Sequence, residues 1–277
     1  MTTSEDFSDN ISNNIADDNI AKNNIDTSDS NQETSHISPE AEIAADVTLG
    51  HRVIIGPQVK IKEGCKIGDE VEIKGKTTLG PGTRVATGAL LGFPPQHRRY
   101  DGEETTLVIG GNCNIGERST INRGTAEKGI TRLGRGVTLG ALSHVAHDCR
   151  LGDGVEVGTL TQIAGLVEIG NNSSLGNAVG VHQKVMIGSG AVVVDHSKVS
   201  KDVPPYLKVT GHPARIVGTG NCPDSEVKLK ITRAYELLCK AGLNTSQARD
   251  KIREELTGPE ISELLVFMEN SKRGICR

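Results

Sequence analysis

The chain has 277 residues, a net charge of -4, 33 glycines, no tryptophan and only 2% aromatic residues. That length holds one or two domains with a sizeable core, the charge is far too weak a bias for a nucleic-acid partner, and no apolar run approaches the ~20 residues of a membrane span. Six cysteines without a C-x-x-C pair give no disulfide framework and point to a reducing cytosol.

Residues 1–35 are rich in Asn, Asp and Ser, carry eight acids against Lys22 alone, and show no periodicity. They read as a disordered, solvated tail. The remainder then carries +3, a mildly basic balance suited to acidic partners such as nucleotides or an acidic carrier protein. No basic stretch followed by an apolar one marks a secretion signal.

Residues 36–206 follow a six-residue beat. Ile43, Leu49, Ile55, Ile61, Ile67, Ile73, Leu79, Val85 and Leu91 are spaced by six; Ile109, Ile115 and Ile121 resume the beat, and Leu133 to Val199 continue it unbroken. A mostly smaller rung precedes each by two residues, as at Val47, Val53, Val59, Cys65, Cys113, Ser143 and Cys149. No α-helix or flat sheet needs a period of six. A three-sided parallel β-helix does, because each hexad supplies one short strand and one corner. The fold class is therefore all-β, a hexapeptide-repeat solenoid. About 24 hexads make about eight coils, a prism roughly 40 Å long. Aliphatic rungs point inward, and a glycine after many of them, such as Gly50, Gly56, Gly68, Gly80, Gly110 and Gly152, is expected to take the corner. Cys65, Cys113 and Cys149 read as core packers. The beat breaks at Gly92–Thr106 and at about Gly124–Ile130, which predicts two loops thrown out from the prism.

Residues 207–277 form a linker and a small α-helical domain. Pro204 and Pro205 end the repeat. One helix is opened by Asp224, buries Val227, Ile231, Ala234, Tyr235 and Leu238, and closes at Gly242. Asn244 and Gln247 form a capping box for a second, ending near Gly258. Pro259 begins a third, with Ile261, Leu264, Leu265 and Met268 on one face. Together they would cap the open end of the solenoid. His36, His51, His196 and His212 are expected at the surface, and Gly211–Arg215 as a structural exit turn.

Eighteen residues make one coil, so the chemistry can be placed by counting. His147, Gly165 and Gln183 fall on one face of successive coils, about 4.8 Å apart. Asp148, His144 and His182 lie beside them. A histidine next to a carboxylate suits a general base, and a bare glycine N–H suits an oxyanion. The plainer alternative, a polar corner facing water, is left open by spacing alone.

The run His144-Val145-Ala146-His147-Asp148-Cys149 resembles the H-x-A-H-D-C signature of UDP-N-acetylglucosamine O-acyltransferases. The resemblance extends through Gln96, Tyr100-Asp101-Gly102-Glu103, Arg123-Gly124-Thr125, Ala164-Gly165, Val181-His182-Gln183, Asp202–Tyr206 and the tail Ser271–Arg277, covering residues 36 to 277. It implies a left-handed coil, against the usual crossover hand, and a homotrimer with sites between neighbouring chains. It implies a cytoplasmic enzyme that begins lipid A synthesis. His147 would deprotonate the sugar 3-hydroxyl, Asp148 would orient His147, and Gly165 would hold the oxyanion. His144, His182, Gln183, Gln96 and Arg99 would contact substrate. The acyl chain would arrive on the phosphopantetheine of acyl carrier protein with no separate cofactor and no metal, and Lys272 and Arg273 would be available to meet that carrier. The chain departs from the family pattern at Leu166, Asn122 and His97, and Gly218–Pro223 lacks the usual arginine pair, so the UDP-amino sugar acceptor stays open. Two other readings are a trimeric β-helical metalloenzyme of carbonic anhydrase type, with His147 and His182 as ligands, and a non-catalytic binding module.

Overall fold

The computed structural model describes residues 35–277. The acidic tail expected at 1–35 lies outside the described residues except for Ser35, whose Oγ accepts the Val53 N–H at 3.0 Å.

The hexads form a left-handed parallel β-helix. Twenty-five short strands, from His36–Ile37 to Lys198–Val199, distribute in rotation among three sheets, and each as far as Gly180–Val181 pairs with the strand three places on. The ordinary register step is eighteen residues, as Ile54 to Glu72 and His144 to Gln162. Leu90 pairs instead with Thr120, thirty residues on, and Thr106 with Ile130, twenty-four on. These offsets are the two predicted loops, excursions of twelve and six residues that leave the stacking intact.

Both rungs point into the prism. The aliphatic rungs from Ile55 onward are buried, and Cys65, Cys113 and Cys149 are at most 1% exposed among them. Polar members of the small rung have a specific use. Thr161 Oγ1 donates to Gly176 O at 2.7 Å, Ser173 Oγ to Gly188 O at 2.8 Å and Cys149 Sγ to Ala164 O at 3.1 Å. Each satisfies a corner carbonyl of the next coil that the ladder leaves free. Burial pushes the Cys113 thiol up to about 11 and the Cys149 thiol up to about 12, so both are inert packing groups.

The glycines after the aliphatic rung serve a different purpose from the one expected. The left-handed corner residue lies two places later, at Arg52, Glu70, Asp148, Leu166 and Lys184 among others. At Gly110 a side chain is excluded by distance, because a Cβ there would lie 2.3 Å from Gly134 O of the next coil. The same close approach holds at Gly50, Gly80 and Gly152, whereas a Cβ on Gly56 would find its nearest neighbour at 3.5 Å.

After the coil, Leu207–Gly211 and Ala214–Thr219 form a hairpin that extends the third sheet. Helices α1 (Ser225–Cys239), α2 (Thr245–Glu255) and α3 (Pro259–Asn270) follow where the pattern placed them. The Asp224 side chain caps α1, and Asn244 and Gln247 make the reciprocal capping box of α2. Leu237 is buried on α1, whereas Tyr235 is only partly so, with Lys240 Nζ 4.9 Å from its ring centre. Helix α1 packs on the hairpin. The chain terminus closes the second sheet: Asp202 bridges Ile275, and its carboxylate accepts Met186 N–H and Ser271 O–H at 2.8 and 2.7 Å. Arg273 donates to Ser200 O there, so its guanidinium is tied to the coil end. No helix among the described residues is long and apolar enough to cross a membrane.

Candidate active site

The site grows from one corner column. His147 sits at a corner and Asp148 takes the left-handed position after it, with φ 61°. That turn sends the two adjacent side chains back toward each other: His147 Nδ1 lies 2.9 Å from Asp148 Oδ2. The Asp148 side chain is shut off from solvent and the His147 side chain is 7% exposed. Asp148 also accepts Thr125 N–H at 2.9 Å and Thr125 O–H at 2.6 Å, while its own N–H reaches Thr131 Oγ1 at 2.8 Å. With a carboxylate whose two oxygens already accept from Thr125 set against Nδ1, the proton rests on Nδ1 and Nε2 keeps its lone pair.

The next corner lies against this ring. Leu166 N–H donates to His147 O and Lys184 N–H to Gly165 O, both at 3.0 Å, so residues 147, 165 and 183 stack as counting by eighteen predicts. A Cβ on Gly165 would lie 2.6 Å from His147 Cε1 and Nε2. The Gly165 N–H has no hydrogen-bond partner among the described residues.

His144 belongs to the neighbouring strand, in register with Thr120, Gln162, Gly180 and Lys198. Its Nδ1 is 2.6 Å from Thr120 Oγ1. Burial, and then the nearby His147, hold its pKa below the ordinary histidine range.

A cavity of about 1050 Å³ opens over these residues. His144, His147, Gly165, His182, Gln183, Gln96 and Arg99 all line it, while Asp148 stands behind His147. Six of the chain's eight histidines face this one space, because His97, His196 and His212 join those expected. His196 and His212 are exposed, as predicted for surface residues, yet they also form its wall. His196 and Lys198 were within reach of the same count, standing eighteen residues after Ala178 and Gly180. His212 comes from the hairpin turn, which carries no period.

The first excursion is tied over the cavity by the strand beside it. Asn122 Nδ2 donates to Pro94 O at 2.7 Å, and Arg123 bonds both Gly92 O and Tyr100 Oη. This brings the His97 ring edge-on to His147, with centroids 5.1 Å apart. Leu166 is 9% exposed at its left-handed corner. Gly218–Pro223 runs away from the cavity; Asn221 bonds Asn172 O and Ser174 Oγ on another corner. No three His, Cys, Asp or Glu side chains converge as a metal site requires among the described residues.

The family model described as UDP-N-acetylglucosamine O-acyltransferase, domain 2, matches residues 202–276. The acyl-[acyl-carrier-protein]–UDP-N-acetylglucosamine O-acyltransferase of Thermodesulfovibrio yellowstonii is 37% identical over 253 residues, 88% of this chain and 98% of the relative. That of Syntrophobacter fumaroxidans is 38% identical over the same shares. The structure of LpxA from Acinetobacter baumannii superposes with a TM-score of 0.83 at 35% identity, covering 89% of this chain and 99% of that one. A buried His-Asp pair beneath a bare corner amide, on a coil matched nearly end to end, places the chain in the acyl-[acyl-carrier-protein]–UDP-N-acetylglucosamine O-acyltransferase family.

Proposed function

We propose that this enzyme transfers a 3-hydroxyacyl group from acyl carrier protein to the 3-hydroxyl of UDP-N-acetylglucosamine or a related UDP-amino sugar, the first step of lipid A biosynthesis. The observation that carries the reading is the His147–Asp148 pair, buried behind a cavity that also receives Arg98, Arg99 and Lys198. Such a cationic wall suits the diphosphate of a sugar nucleotide.

In this reading His147 Nε2 takes the proton of the sugar hydroxyl as its oxygen attacks the thioester carbonyl. Asp148 steadies the imidazolium that forms. The unpaired Gly165 N–H donates to the developing oxyanion. Collapse of the tetrahedral intermediate breaks the C–S bond, and the proton on His147 passes to the departing thiolate. The acyl chain stays on the carrier's phosphopantetheine until that step, and the reaction consumes no other cofactor. His144, His182, Gln183, Gln96 and Arg99 hold the sugar nucleotide. The exposed leucines 142 and 160, stacked along one corner beside the cavity, support a trimer whose neighbouring chain completes the site.

Incubation with hydroxyacyl carrier proteins of several lengths and a set of UDP-amino sugars, read by mass spectrometry, tests the reading. Wild type yields an acylated sugar nucleotide, and His147→Ala lowers turnover by a factor of ~10² to 10⁴. Near-normal turnover in that variant refutes His147 as the base.

A further inference from the structure

The six-residue excursion between strands Thr120–Asn122 and Ile130–Leu133 has no task in the reaction described above. Its path crosses the back of the reacting corner. Thr125 is 4% exposed, and both of its donors end on Asp148, the backbone N–H on Oδ1 and the hydroxyl on Oδ2. Oδ2 is the same atom that meets His147 Nδ1. The direction of the hydroxyl is set locally. Thr125 Oγ1 accepts Glu127 N–H at 3.2 Å, so a lone pair is occupied and the hydroxyl proton is left for Asp148. Gly129 N–H closes the loop onto Thr125 O at 2.7 Å. Glu127 Oε1 lies 3.6 Å from Lys184 Nζ, two coils along the same corner column.

A carboxylate bound to one histidine alone would turn about its broad terminal torsion. Two donors from Thr125 remove that freedom, because each oxygen has a fixed partner. A carboxylate of fixed plane then dictates which imidazole nitrogen carries the proton and how the ring is tilted. We propose that Thr125 is a positioning residue for the base: it fixes the plane of Asp148, and through it the tautomer and tilt of His147, without touching either substrate. The inference rests on the acyl-transfer reading and deepens it.

The test uses the full chain with Thr125→Val, which keeps shape and backbone N–H but loses the hydroxyl, and Thr125→Ser, which restores it. Thr125→Val is expected to lower kcat ten- to a hundredfold with KM for both substrates within twofold, and Thr125→Ser to stay within threefold of wild type. A second readout needs no turnover. In ¹⁵N-histidine-labelled protein the downfield Nδ1–H proton of His147, identified by its loss in His147→Ala, should move or vanish in Thr125→Val and persist in Thr125→Ser. The inference is overturned if that proton is unchanged in Thr125→Val. It is equally overturned if kcat stays within threefold, or if both variants fall together with rising KM. A wild type that acylates no UDP-amino sugar instead defeats the functional reading, and the proton signal still decides the role of Thr125.

Discussion

Gly165→Ala isolates the contact on which the site depends. Gly165 does not occupy the left-handed region, so alanine is tolerated by the backbone. The obstacle is the added methyl, 2.6 Å from Cε1 and Nε2 of His147 and 3.1 Å from Nδ1. Carbon atoms pack at about 3.5–4.0 Å, so the ring must retreat by roughly 1 Å. It has little room, since Asp148 grips Nδ1 and is itself held by Thr125. A misplacement of ~1 Å costs on the order of 10²-fold in rate, about 2.7 kcal/mol of barrier. Overpacking adds about 1–3 kcal/mol of destabilisation. Steady-state acyl transfer gives the first quantity and thermal unfolding the second. A cycle with His147→Ala shows whether the ring is the cause. With the ring gone the methyl has space, and the stability cost of Gly165→Ala should shrink to a few tenths of a kcal/mol. Turnover within threefold of wild type, or a stability cost that persists in full beside His147→Ala, refutes the stacking argument.

Two further outcomes follow from the same geometry. His144 has a folded-state pKa below its unfolded value, mainly through burial. As pH falls the unfolded chain takes up the proton first, so the stabilisation is complete above about 6.5 and is lost as pH drops through the folded pKa. The melting temperature should therefore decline between pH 7 and 5 more steeply in wild type than in His144→Gln; equal slopes sink the argument. Asp202→Ala strands Met186 N–H and Ser271 O–H, two donors that meet a carboxylate only 1% exposed. The expected loss is about 2–4 kcal/mol in urea unfolding, with faster proteolysis of residues 271–277. Unchanged cleavage and an unchanged midpoint would show that the tail is held by other contacts.

Much of the molecule was legible before any coordinates. The hexad settles which residues face inward, because a strand of two residues and a corner repeat identically on every side of the prism. A register step of eighteen then follows from closure alone, and it sets His147, Gly165 and Gln183 in one stack and His144 beside them. The three helices announce themselves through Asp224, the Asn244–Gln247 box and Pro259, all local signals. The purpose of the corner glycines was not legible. Their need is the approach of Gly110 to Gly134 O, a distance between coils rather than a torsion within one.

What only the tertiary structure decided lies wherever the period stops. Thr125 reaching Asp148, Asn122 and Arg123 drawing the first excursion inward, His97 set against His147, and His212 arriving from the hairpin all cross aperiodic segments. A repeating coil places residues by counting, since each step is the same rotation and rise. An insertion has no such rule, and its path is chosen by the hydrogen bonds it finds on returning.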